Sequence, residues 1–379
     1  MIKWAHVLLI VLFLTGCKKA FNPPGALSDT NKYLVIDGII NTGNDSTFIR
    51  LSRTKKFDTV IVIDKEMGAQ VKVESDANNT YPLSEINPGT YSAAPLNLDN
   101  SHKYRLRIKT TDGKEYVSDF VQVKNAPPID SVGFVAKPSM VQIYVNTHDP
   151  TNNTKYYRWE YSEAWRFHAT YQSFWIGAAR RDSSEFIYYC YSKDTSSYIT
   201  LSTSAQLAQD VIYQAPITTI PSSSEKIQIR YSIFVKQYAL TSGAYSFWSN
   251  LHKNGESNGT IFDAQPSDNQ TNYHCVTNPN EIVIGYLSAG STTTKRVFIN
   301  RDQFPASYNP RYSLACSIDT AYGDKGEYTV FGSPYVTAIE GLFTSPPLPF
   351  GTPNAVTYSS SDCADCTTRG VKAPPPFWK

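Results

Sequence analysis

The chain has 379 residues, with 35 Lys and Arg against 33 Asp and Glu, for a formal net charge of +2. Charge of that size, with no basic stripe, excludes a nucleic-acid-binding module, which gathers positive charge on one face; the length suits two or three domains. The 26 Tyr, 18 Phe and 6 Trp, set against 3 Met and joined by many Ser and Thr, favour half-buried pleated strands and a mainly β fold.

The amino-terminal end carries Lys3 and then an apolar run from Val7 to Leu14 that stops at Leu14-Thr15-Gly16-Cys17. A basic start, a short hydrophobic segment and small residues at the cut are the parts of a secretory signal. The run is too short to span a bilayer, which takes about 20 apolar residues. Those four residues resemble the bacterial lipobox, in which the cysteine is diacylated, the peptide is cut before it and the new amino terminus is acylated. Cys17 is therefore the expected lipidation site, residues 1–16 the signal peptide, and 17–30 a lipidated tether containing Asn22-Pro23-Pro24-Gly25. Each buried CH₂ adds about 0.8 kcal/mol of membrane affinity, so two or three acyl chains hold firmly. The alternative is an ordinary signal peptide, or a short anchor, with a chance cysteine. No second apolar span follows Cys17.

Residues 31–125 alternate like strands. Tyr33 to Ile40, Thr47 to Ser52, Ala69 to Glu74, Tyr104 to Ile108 and Glu115 to Val123 are separated by turn signals such as Pro88-Gly89 and Asp112-Gly113. About seven short strands at this spacing predict an immunoglobulin-like β-sandwich. Pro127-Pro128 marks a boundary, and a larger β-rich domain is expected over 129–345.

In that second domain Tyr157, Trp159 and Tyr161 share one strand face while Arg158, Glu160 and Ser162 share the other. Ile229, Tyr231, Ile233 and Val235 line one face of a further strand. Ala244, Phe247, Trp248 and Leu251 fall at i, i+3, i+4, i+7, which predicts a helix near 242–254 packed on the sheet. A shorter helix is expected from Ser204 to Asp210. Glu281 to Leu287 and Lys295 to Asn300 read as a hairpin pair. The stretch 346–379, rich in Pro, Ser and Cys and ending in Phe377-Trp378, reads as an irregular tail docked on the second domain.

With Cys17 acylated, five cysteines remain: Cys190, Cys275, Cys316, Cys363 and Cys366. An exported protein meets an oxidising compartment, so one or two disulfides are expected and one thiol is left over. For Cys363-Ala364-Asp365-Cys366 three readings stand: a redox pair, a zinc site completed by Cys275, His274 or Cys316, and a structural disulfide pinning the tail. The compartment favours the disulfide. Neither a metal nor a cofactor is expected.

No Gly-x-Ser-x-Gly elbow, His-Glu-x-x-His, Walker loop or dinucleotide fingerprint occurs, so catalysis is not expected. Alternation makes Tyr157, Trp159 and Tyr161 core residues. Trp175 lies in a less regular stretch and is the candidate for an exposed, ligand-binding aromatic. The loop from His148 to Thr154 lacks EF-hand spacing and reads as a solvated turn.

Several separated motifs carry a resemblance. They are Asp149-Pro150, Tyr156-Tyr157-Arg158-Trp159-Glu160-Tyr161, Cys190-Tyr191 and Gln237-Tyr238-Ala239-Leu240 leading into Phe247-Trp248. Gly259-Thr260-Ile261-Phe262-Asp263, Glu281 to Tyr286, Cys363-Ala364-Asp365-Cys366, Arg369-Gly370 and Pro376-Phe377-Trp378 join them. Together the chain resembles the lipoprotein family catalogued as domain of unknown function 4249 (DUF4249). The resemblance implies an outer-membrane lipoprotein of a Gram-negative bacterium, encoded beside a TonB-dependent β-barrel receptor and acting as an accessory, substrate-binding or lid-like subunit in nutrient uptake. It brings no catalytic residues with it. A stand-alone glycan- or ligand-binding envelope lipoprotein and a structural or adhesive envelope protein are the other classes. In some of these bacteria acidic residues after the lipidated cysteine direct export to the outer face. Lys18-Lys19 departs from that pattern, so the cell-surface and periplasmic faces both stay open.

Overall fold

Alternating residues build the first domain as the sequence predicts. In β1 (Leu34–Asn41), β2 (Thr47–Arg53), β4 (Gln70–Ser75) and β7 (Lys103–Lys109), Leu34, Ile36, Ile49, Leu51, Val71, Val73, Leu106 and Ile108 turn inward. The computed structural model describes residues 32–54, 63–176, 179–256, 271–312, 315–322, 330, 333–342 and 355–378. The signal peptide, Cys17 and the tether read from the sequence lie outside the described residues, as do Gly259 to Asp263.

The other strands of this unit are β3 (Asp64–Lys65), β5 (Thr80–Asn87), β6 (Thr90–Ala93), β8 (Glu115–Ser118) and β9 (Val121–Gln122). β5 joins two layers, since its first half pairs with β4 and its second half with β6. The layers close over one apolar core, which gives the sandwich.

The second domain is a second two-layer body. One layer is β10 (Ile129–Lys137), β11 (Met140–His148) and, further along the chain, β17 (Val211–Pro221). The other is built on β12 (Tyr156–His168), with β13 (Trp175–Ile176) and β14 (Ala179–Arg180) forming a separate hairpin beyond it. β12 is flanked on one side by β15 (Tyr189–Thr195) and β16 (Thr200–Thr203), and on the other by β18 (Arg230–Leu240). Tyr157, Trp159 and Phe167 of β12 and Tyr231, Ile233 and Val235 of β18 face Val141, Ile143 and Val145 across a shared core. Gln237 is buried within it. It accepts from the Trp159 indole at 2.9 Å and donates to the Pro127 carbonyl at 2.8 Å, which ties the interdomain Pro-Pro step to the core.

The helix Ser242–Glu256 follows β18, and its Ala244 and Phe247 are buried. It rests on the second-domain sheet at Tyr238 and Leu240, and also on Ile39 and Tyr286 of the first domain. From Ser204 to Asp210 there is a turn and no helix. The Ser204 hydroxyl donates to Asp210, and this side-chain bond draws the backbone out of the helical path.

The domain boundary differs from the sequence reading. β19 (Tyr273–Cys275), β20 (Val283–Ile284) and β21 (Ala289–Gly290) return to the first sandwich, β19 on β8 and the other two parallel on β1. Gly285, at φ +141°, permits the close approach: a Cβ there would run into the Ile36 carbonyl oxygen. The expected hairpin between 281–287 and 295–300 is therefore absent. Instead β22 (Thr293–Asn300) pairs with β18 and forms the far edge of the second-domain sheet.

The tail is also more ordered than expected. β25 (Ala355–Ser360) is the central strand between β23 (Asp319–Tyr322) and β24 (Val336–Leu342), and one helical turn, Ser361–Ala364, follows. Cys366 bonds to Cys190 and Cys363 to Cys316, so each cysteine of the C-x-x-C ties the tail to a different part of the chain. Cys275 is a buried thiol in the first domain. That arrangement disposes of the redox-pair and zinc readings: His274 and Cys275 sit in the first sandwich, and Cys316, Cys363 and Cys366 are already bonded.

Candidate functional site

Trp175 is no ligand platform. It is 6% exposed, packed with Val330, Ala338 and Val356 beneath the β23–β25–β24 sheet. The loop after His148 is the expected turn. Asp149 accepts from the backbone of Thr151, Asn153 and Thr154. Burial opposes ionisation of Asp149, but these bonds and the Thr151 hydroxyl outweigh it and hold its carboxyl at about 2.

The site that does form lies where the two domains meet, on the outward face of β12 and β18. Because side chains alternate, the same strands that bury Tyr157, Trp159, Ile233 and Val235 present Arg158, Glu160, Ser162, Phe234, Lys236 and Tyr238 outward. Asp37 of β1 and Arg50 of β2 approach from the first domain, and Trp248 from the helix. Between them is an open cleft of about 540 Å³, continued by a smaller one of about 160 Å³; Asp37, Arg50, Arg158, Glu160, Lys236 and Trp248 line both. The β15–β16 loop, Thr195 to Ile199, forms a wall. It is pinned to β12 by two bonds, Ser196 N–H to the Tyr161 carbonyl at 2.8 Å and Tyr161 N–H to the Ser196 hydroxyl at 3.0 Å.

Electrostatics within the cleft are nearly balanced. The Arg158 guanidinium lies between the rings of Trp248, at 4.1 Å, and Tyr238, at 4.7 Å, and is paired with Glu160. Tyr238 donates to the other Glu160 oxygen at 2.6 Å, and burial together with that carboxylate pushes the phenol up. Arg50 pairs with Asp37 at 3.1 Å. Lys236 stands directly opposite Glu160 in the strand register, with its ammonium 5.5 Å from the Tyr238 ring.

The far end of the same sheet face is covered by the tail. Val371 and Tyr191 exchange backbone hydrogen bonds at 2.8 Å, Phe377 stacks on Arg296 at 3.6 Å, and Trp378 packs on Tyr191 and Phe298. Arg296 in turn covers Phe234 at 4.8 Å, so the tail ends where the cleft begins. Among the described residues, no group of three or more His, Cys, Asp or Glu side chains is placed to hold a metal ion.

The sequence put Arg158, Glu160 and Ser162 on a common face without assigning that face a role. It read Trp248 as part of a buried stripe. The available signal was the outward run of charge and aromatic rings along two adjacent strands; Asp37 and Arg50 carried none.

A model of the family described as a domain of unknown function, DUF4249, matches residues 21–296. The chain belongs to the DUF4249 family. That match takes in both sandwiches, the helix and every charged residue of the cleft, and it stops within β22. The DUF4249 match therefore leaves β23 to β25 and the two cysteines of the C-x-x-C outside it. No curated protein matches the chain. Among solved structures it is similar to a two-domain fibronectin type-III segment from chicken tenascin. The identity is 9% and the TM-score 0.17, over 55% of this chain and 91% of that one.

Proposed function

We propose that this DUF4249 protein is an outer-membrane lipoprotein that serves as an accessory, substrate-binding or lid-like subunit of a TonB-dependent nutrient-uptake receptor. Acyl chains on Cys17 anchor it, and its role is binding rather than catalysis. The observation that carries the reading is Leu14-Thr15-Gly16-Cys17 set directly after the Val7–Leu14 apolar run. Family membership supports it, since the resemblance implies a β-barrel receptor as partner. No helix among the described residues is long and apolar enough to cross a membrane.

The test is to solubilise membranes in mild detergent and isolate the full chain at its native level. A β-barrel receptor co-purifying near one to one is the expected result; a chain that runs alone refutes the receptor. A second reading, a stand-alone ligand-binding envelope lipoprotein, is favoured by the cleft at the domain junction. It predicts ligand binding with no β-barrel attached.

A further inference from the structure

We infer that the junction cleft binds an acidic saccharide, a sugar chain that carries carboxylates. The inference deepens the substrate-binding part of the reading above and rests on it, but it does not depend on a receptor. The cleft's volume, about 540 Å³, falls within the usual range for small-ligand sites, and its length runs along a sheet face.

Its polar groups are of mixed kind. The Asp37–Arg50 and Arg158–Glu160 pairs and the hydroxyls of Ser162, Ser197 and Tyr198 supply donors and acceptors side by side. Sugar hydroxyls need both at once, because each donates one bond and accepts others. Trp248 and Phe234, each stacked by an arginine on one side, add apolar surface at the wall, suited to the C–H faces of sugar rings.

The balance of charge selects the acid. Each arginine already faces a carboxylate, whereas Lys236 makes no ion pair among the described residues. One surplus ammonium suits a singly charged carboxylate. A phosphate favours the two-pronged grip of a guanidinium, and both guanidinia here are engaged. A peptide that adds as a strand is disfavoured for a separate reason. Such peptides pair with a free sheet edge, and β12 and β18 are hydrogen-bonded on both sides at the cleft.

The experiment titrates the full chain in detergent micelles with an oligogalacturonate trimer and with its methyl ester, the same rings without the charge. An alginate trimer serves as a second uronate. Tryptophan fluorescence and calorimetry read the binding. The acids are expected to bind, the ester about tenfold more weakly, and added salt to narrow the gap. Lys236→Gln should lose that preference by weakening the acids about tenfold and the ester far less, and Lys236→Arg should restore most of it. A melting curve matching the wild type shows that Lys236→Gln is folded. Binding of neither uronate, equal binding of acid and ester, or an undiminished preference in Lys236→Gln overturns the inference. Because no receptor is present, a failure here leaves co-purification with a β-barrel standing, and the reverse also holds.

Discussion

Glu281→Gln tests the return of residues 271–290 to the first sandwich. The Glu281 carboxylate is 8% exposed and accepts from the Tyr116 hydroxyl at 2.6 Å and the Lys114 ammonium at 2.7 Å, with Arg53 3.7 Å away. Glutamine keeps the volume and one acceptor oxygen but removes the charge. Arg53 retains Glu66 at 2.6 Å, and Lys114, 39% exposed, turns to water. The remaining loss is one buried charge-assisted bond plus part of the attraction to Arg53, about 2 kcal/mol. At about 4 °C per kcal/mol for a domain of this size, the melting temperature falls by roughly 8 °C. Urea unfolding of the full chain measures the free energy directly. Tyr116→Phe should cost about 1 kcal/mol, and the double variant less than the sum, because the two share a bond. A Glu281→Gln protein as stable as the wild type, or strict additivity, would refute the docking of this segment.

Three further outcomes follow from the same contacts. Trp175→Ala should lose about 3 kcal/mol of stability through the cavity it leaves, yet bind oligogalacturonate as the wild type does; a change in affinity would return Trp175 to the site. For Glu74, burial opposes ionisation, but hydrogen bonds from Arg107, Lys72 and Arg105 outweigh it and hold the carboxyl at about 2 against an ordinary 4.5. A depressed carboxylate stabilises the fold above its unfolded value and loses that contribution as pH falls from about 4.5 towards 2. After allowance for solvent screening, Glu74→Gln should cost about 1 kcal/mol by urea unfolding near pH 6 and much less near pH 3; an equal cost at both refutes this. Non-reducing peptide mapping should find Cys190–Cys366 and Cys316–Cys363, with Cys275 alkylated only after denaturation. A Cys363–Cys366 bond would contradict the fold of the tail.

What the sequence revealed follows from the range of each signal. Period-two alternation is local, so the buried faces of β12 and β18 were legible, down to Trp159 inward and Arg158 outward. The spacing of Ala244, Phe247 and Leu251 likewise marked the helix. The return of residues 271–290 was hidden, because strands of two or three residues leave no period and their partners lie far back in the chain. Lys295 to Asn300 looked like a hairpin arm because its neighbour in sequence is not its neighbour in the sheet. Trp175 sits in a stretch without periodicity, where exposure depends on the later strands β24 and β25. The cleft was half legible: one wall is a strand face, but Asp37 and Arg50 join it only through the docking of two domains.

The most direct test of an anchored accessory subunit is labelling with radioactive palmitate, in cells carrying the wild type or Cys17→Ser. The wild type should take up label, stay with the membrane and bring down a β-barrel protein, and Cys17→Ser should do none of these. Equal labelling of the two proteins, or a Cys17→Ser chain that remains membrane-bound with the same partner, would contradict the account.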